Sequence, residues 1–133
     1  MLIKNNEYNK SLLDTSAVIA LLKKEPGYEI IEDIIGSANI SVVNLSELIS
    51  VLTKSGLLEE EVDNITTSIV PIVIPFSEDI ARLAGKLIKD TQIFGLSLGD
   101  RACIATGIIH NMTVYTTDKI WAKLGIDNIV VIR

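Results

Sequence analysis

Apolar and polar positions along this chain alternate between two rhythms. Short apolar runs, at residues 10–14, 39–43, 69–74, 113–116 and 128–132, have the length and β-branched content of strands. Between them lie longer stretches with helical spacing, over residues 16–24, 28–35, 44–55 and 59–69, from Ser77 and from Ser97 onward, and briefly up to Leu124. The helix after Ser77 has the clearest pattern, with Ile80, Leu83, Ala84, Leu87 and Ile88 on one side and Glu78 and Asp79 in its first turn. In the helix after Ser97, Leu98, Ala102, Ala105 and Ile109 form the expected apolar side, and Asp100 stands at the capping-box position. Asn44 is the expected cap of its helix, with Glu47 three residues on. Pro26-Gly27, Gly36 and Gly56 punctuate the pattern, and Pro71 argues that the third strand lies at an edge.

Strands alternating with helices predict an α/β fold, with a largely parallel sheet covered by helices on both faces. Its crossovers are right-handed. At 133 residues, the chain is expected to fold as one domain over residues 9–133, preceded by a polar tail at residues 1–8.

Composition narrows this picture. Hydrophobic residues make up 48% and aromatic residues only 5%, so the core is aliphatic. No apolar run approaches the roughly 18–20 residues of a membrane span. The N-terminal residues are polar and show no signal-peptide apolar region. The single cysteine allows no internal disulfide and suits a reducing cytosol, so a cytoplasmic protein is expected. A net charge of −5 gives no global attraction to nucleic acid, so any such binding is local or helped by cations.

The candidate chemistry is acidic. In a parallel α/β sheet the C-terminal strand ends and the helix N-termini share one edge, where ligands bind. Asp14 ends the first strand, and Glu47 lies in the first turn after the second. Asp100 opens the helix leading into the fourth strand, and Asp118 follows that strand directly. Taken singly, each is equally well a helix-capping acid. Gathered beside a central first strand, they would repel: at an effective dielectric near 20, two charges about 4 Å apart cost about 4 kcal/mol. Such a group either takes up protons or holds hard cations such as Mg²⁺ or Mn²⁺, which act on phosphate esters.

Other residues weigh less. Arg101 and Lys119 stand beside acids of the quartet and read either as phosphate contacts or as surface ion pairs. Cys103 reads as a small core residue and Trp121 as a packing anchor, with base stacking the minority reading. His110 is the only histidine and ends its helix far from the acidic edge, which argues against a zinc site or a Ser-His-Asp triad. Neither GxGxxG nor a Walker pattern surrounds Gly95 and Gly99.

Four segments carry a resemblance: Leu13-Asp14-Thr15-Ser16-Ala17, Val43-Asn44-Leu45-Ser46-Glu47, Leu96-Ser97-Leu98-Gly99-Asp100-Arg101 and Val114-Tyr115-Thr116-Thr117-Asp118. In their order and spacing the chain resembles, over nearly its whole length, the PIN-domain nucleases, and specifically the VapC toxins of prokaryotic toxin–antitoxin pairs. The resemblance implies a three-layer α/β/α fold whose five-stranded parallel sheet has the order 3-2-1-4-5. It implies a Mg²⁺- or Mn²⁺-dependent endoribonuclease that forms a homodimer and is inhibited by a cognate antitoxin.

Carried over by position, Asp14, Glu47, Asp100 and Asp118 become the catalytic and metal-binding quartet. Asp14 and Asp100 would hold the principal metal, Glu47 would position or deprotonate water, and Asp118 would complete the site or bind a second metal. Thr15, Ser16 and Thr117 match polar positions that orient carboxylates or touch phosphate, or else are ordinary caps. Two readings compete with this one. The first is a non-catalytic module of the same fold that binds RNA or protein. The second is a phospho-receiver domain, which the lone Asp14 at the end of strand one disfavours.

Overall fold

The computed structural model describes residues 10–70 and 72–133. The expected tail at residues 1–8 and the Pro71 signal lie outside them. Five short strands form one parallel sheet: β1 (Ser11–Leu13), β2 (Asn39–Ser41), β3 (Ile72–Ile74), β4 (Thr113–Thr116) and β5 (Ile129–Val131). The sheet order is β3-β2-β1-β4-β5, so β1 is central and β3 lies at an edge. Leu12 pairs with Asn39 on one side and Val114 on the other, while Thr116 faces Val131.

Alternation along β1 feeds two cores. Leu13 joins Val18, Ile31, Ile40 and Leu48 on one face of the sheet. Leu12 joins Ile80, Ile104, Val114 and Trp121 on the other. The first face is covered by α1 (Thr15–Lys23), α2 (Tyr28–Ile34), α3 (Val42–Lys54) and α4 (Glu59–Ile69). The second is covered chiefly by α5 (Glu78–Lys86) and α7 (Leu98–Ile109), with the short α6 (Ile88–Thr91) between them. Both cores are overwhelmingly aliphatic, in keeping with the composition.

Three expectations are corrected. The second strand stops at Ser41, and Ser41, not Asn44, caps α3 by accepting the Asn44 N–H at 3.2 Å. Val42 and Val43 read as strand because they are β-branched, but the Ser41 cap draws both into the helix. In α7, Leu98 and Ile109 are exposed at the helix ends. Burial there runs all round the middle of the helix, through Gly99, Ala102, Cys103, Ile104, Ala105, Thr106 and Gly107, because α7 packs against α3, α5 and the sheet together. Arg101 is turned inward rather than into the expected surface ion pair. Its Nη1 donates to the Ala84 carbonyl at 2.8 Å and ties α7 to α5.

Trp121 and Cys103 are buried in the second core, which fits the packing reading of both. Burial also pushes the Cys103 thiol well above its ordinary range, away from the reactive thiolate. No helix among the described residues is long and apolar enough to cross a membrane.

Candidate active site

Parallel strands bring their C-terminal ends to one edge, and Asp14 stands at the end of the central one. Its backbone N–H still donates to the Tyr115 carbonyl at 3.0 Å, which fixes the residue between β1 and β4. The side chain is only 5% exposed. Two hydroxyls converge on its Oδ2: Ser16 at 2.6 Å and Thr116 at 2.8 Å. Burial pushes the Asp14 carboxyl up to about 6, against the pull of these two bonds, and the charges of Asp100 and Glu47 push the same way.

Glu47 projects from the second turn of α3. Its Oε1 accepts from the Thr15 hydroxyl at 3.0 Å and from Asn44 Nδ2 at 2.8 Å. Asn44 is fully buried, and the Ser41 hydroxyl donates to its Oδ1 at 2.9 Å, so the amide orientation follows from its neighbours. Glu47 Oε2 lies against Gly99, where a Cβ would have no room.

Asp100 closes the expected capping box. Its Oδ2 accepts the Ser97 N–H at 3.0 Å, and the Ser97 hydroxyl accepts the Asp100 N–H at 3.1 Å. Burial raises its carboxyl above the ordinary value, opposed by the Ser97 bonds and reinforced by Glu47 and Asp118. Asp118 caps the turn after β4, where its Oδ1 accepts the Ile120 N–H at 3.0 Å.

All four acids line a single cleft of about 650 Å³, together with Thr15, Ser16 and Thr117. Ser16 also accepts the Thr117 N–H at 3.0 Å, so the two segments after β1 and β4 are sewn together at the cleft floor. Thr15 and Ser16 thus orient carboxylates, and neither caps α1 with its side chain.

Each acid is anchored through one oxygen and lines the cleft. Asp14 Oδ2, Glu47 Oε1, Asp100 Oδ2 and Asp118 Oδ1 are the anchored atoms. Among the described residues, no three His, Cys, Asp or Glu side chains are gathered tightly enough to enclose an ion. The donor chemistry nevertheless fits a hard divalent cation, because only oxygens face the cleft from these four positions.

Two contributors escaped the sequence reading. Thr116 is fully buried and links two acids, donating to Asp14 and accepting the Asp118 N–H at 3.1 Å. Asn44 supports Glu47 instead of capping the helix.

An α/β sheet with its acidic cleft at the carboxyl end of a central strand defines a class of site at which ligands bind where strand order reverses. The chain belongs to the PIN domain family, which it matches over residues 11–127. Solved structures share the fold. VapBC2 from Rickettsia felis, bound to a promoter DNA fragment, superimposes with a TM-score of 0.70 at 23% identity, covering 90% of this chain and 96% of that one. A toxin–antitoxin complex from Klebsiella pneumoniae gives a TM-score of 0.69 at 24% identity, over 90% and 95% of the two chains. The sarcin–ricin-loop-cleaving toxin VapC20 of Mycobacterium tuberculosis gives 0.70 at 17% identity, over 92% and 98%. No curated protein sequence matches the chain.

Proposed function

We propose that this protein is a metal-dependent endoribonuclease of the VapC toxin type, which hydrolyses RNA phosphodiesters and is neutralised by a cognate antitoxin. The observation that carries the reading is the quartet: four acids from four separate elements line one cleft, each oriented by a hydrogen bond to one of its oxygens. Simple helix capping needs no such convergence and gives Asp14 no reason to be buried. Solved toxin–antitoxin complexes of the same fold support the toxin assignment.

Asp14 and Asp100 would hold Mg²⁺ or Mn²⁺, with Asp118 completing the set. Such an ion, when bound, offsets the crowded negative charge and polarises the scissile phosphate. The rest falls to the chain's own groups. Ser16 and Thr116 hold the Asp14 carboxylate in one orientation through Oδ2. Thr15 and Asn44 fix Glu47 so that Oε2 can orient, or take a proton from, the attacking water. As the residue that Ser16 holds through its N–H, Thr117 places its own side chain at the cleft wall, where it can meet phosphate.

In keeping with the same reading, the protein works as a cytoplasmic homodimer and folds as one domain over residues 9–133. A basic residue on the antitoxin would find a ready partner in the acidic cleft.

The test is cleavage of structured RNAs, including bulk tRNA, by purified protein in Mg²⁺, Mn²⁺ or EDTA, beside Asp14→Asn. The expected result is endonucleolytic cutting that EDTA and the substitution both abolish. Equal cutting by the Asp14→Asn protein would remove the quartet from the chemistry. Metal binding without cutting of any RNA would favour a non-catalytic binding module.

A further inference from the structure

The cleft has a second wall, built from the end of β5 and the turn after α1. Ile132 donates its N–H to the Thr116 carbonyl at 2.9 Å, so the chain leaves the sheet at the same edge as Asp118. The α1–α2 turn packs directly onto this segment. Gly27 adopts φ +91°, and a Cβ there would run into the Ile132 carbonyl, so only glycine permits the approach. That packing sets Glu25 beside Arg133, whose Nη1 lies 3.2 Å from Glu25 Oε1 with each side chain 33% exposed.

Glu25 and Arg133 both line the cleft that holds the four acids. Among its described lining residues, Arg133 is the one cation facing the carboxylates of Asp14, Glu25, Glu47, Asp100 and Asp118. A partly exposed ion pair is weak and screened by salt. It is also not needed to hold the wall together, since the Ile132 hydrogen bond and the Gly27 contact already do so. A guanidinium, by contrast, grips a phosphate through two parallel N–H···O bonds.

We propose that Arg133 is a substrate-binding residue that takes a backbone phosphate of the RNA, and that Glu25 holds the guanidinium in place until the phosphate displaces it. The proposal rests on the ribonuclease reading above. It explains how so acidic a cleft admits a polyanion: Arg133 adds a positive group to the cleft besides any cation that Asp14 and Asp100 would hold.

The test is filter binding of end-labelled bulk tRNA in an Asp14→Asn background, across a salt series, with thermal melting of every variant. Arg133→Gln is expected to weaken binding about tenfold and to lower the slope of log affinity against log salt by roughly 0.7–1, the loss of one phosphate contact. Arg133→Lys keeps the slope but binds less tightly than Arg133. Glu25→Gln tightens binding, because the competing anion is gone. Unchanged affinity and slope in Arg133→Gln would overturn the proposal, as would weaker binding in Glu25→Gln, the mark of a merely structural pair. Should Arg133→Gln fail to fold, the opposite signs expected of Arg133→Lys and Glu25→Gln decide the matter. Cleavage by the otherwise unaltered chain runs in parallel. If that chain neither binds nor cuts RNA, the ribonuclease reading fails; if it cuts and Arg133→Gln binds normally, only the Arg133 assignment falls.

Discussion

Glu47 sets its carboxylate against the bare Cα of Gly99, occupying the space that a side chain at that position would need. The contact joins α3 to the first turn of α7 and orients one acid of the quartet from its neighbour's helix.

Gly99→Ala should therefore separate activity from stability. Alanine is the better helix former by about 0.8–1 kcal/mol. Its Cβ would meet the Glu47 carboxylate, which can move aside only by giving up its bonds from Thr15 and buried Asn44. That loss, about 1–2 kcal/mol, roughly offsets the helix gain, so we expect a melting temperature changed little, with RNA cleavage at least about tenfold lower, the cost of displacing a positioned group by an ångström or so. Full activity in the variant would show that Glu47 needs no fixed place.

Asp14→Asn should stabilise the metal-free protein at neutral pH. The Asp14 carboxyl is raised from 3.8 to about 6 in the fold. A raised acid contributes stability that is complete below its unfolded value and is lost as pH climbs through the folded one. Charged Asp14 therefore costs the fold about 3 kcal/mol above pH 6. That cost is already net of the bonds from Ser16 and Thr116, so a neutral asparagine that keeps accepting from them gains most of it, about 2–3 kcal/mol. Urea unfolding in EDTA should show this gain at pH 7.5 and little of it at pH 4. A variant less stable than the parent at pH 7.5 would contradict the desolvation account.

Thr116→Val tests the link between Asp14 and Asp118. Removing the hydroxyl takes a hydrogen bond from charged Asp14, so its carboxyl rises further. It also orphans the Asp118 N–H, at a cost of about 1–2 kcal/mol. We expect the acid limb of the kcat/KM profile to move to higher pH, with cleavage hurt more at pH 6 than at pH 8. Thr116→Ser should restore both, and an unmoved acid limb would place Asp14 outside the titration that controls cleavage.

What could be read from the chain, and what could not, follows from the range of each contact. Asp14, Asp100 and Asp118 sit at strand ends or first turns, and such places are set by local pattern. The Ser97–Asp100 box is local too and was legible in full. The cap of α3 was misplaced because the strand propensity of Val42 and Val43 masked the Ser41 cap just before them. Thr116 was missed because its partners lie across the sheet, Asp14 being 102 residues away in sequence. Glu25 and Arg133, separated by 108 residues, meet only through a glycine turn pressed on a carbonyl, and no spacing rule announces that. Elements were thus legible where one residue and its near neighbours decide. The support of the site was not, because it is made of tertiary contacts.

The remaining question about Asp100 is whether it serves the helix or the cleft, and the two roles can be pulled apart. Its Oδ2 caps Ser97, and an amide oxygen in Asp100→Asn can accept the same N–H. The helix then loses only a charge at its positive end, about 0.3–1 kcal/mol. Ser97→Ala does the reverse, removing the hydroxyl cap at a cost of about 1 kcal/mol and leaving the carboxylate in place. A cation held at ten times its dissociation constant stabilises the fold by about 1.4 kcal/mol. Melting curves in EDTA and in saturating Mn²⁺ should therefore cross over. Ser97→Ala begins lower than the parent and gains the full cation shift, while Asp100→Asn begins near the parent and gains little. If Asp100→Asn keeps the shift and Ser97→Ala loses it, Asp100 is a cap that happens to face the cleft, and the cation set must be sought among Asp14, Glu47 and Asp118 alone.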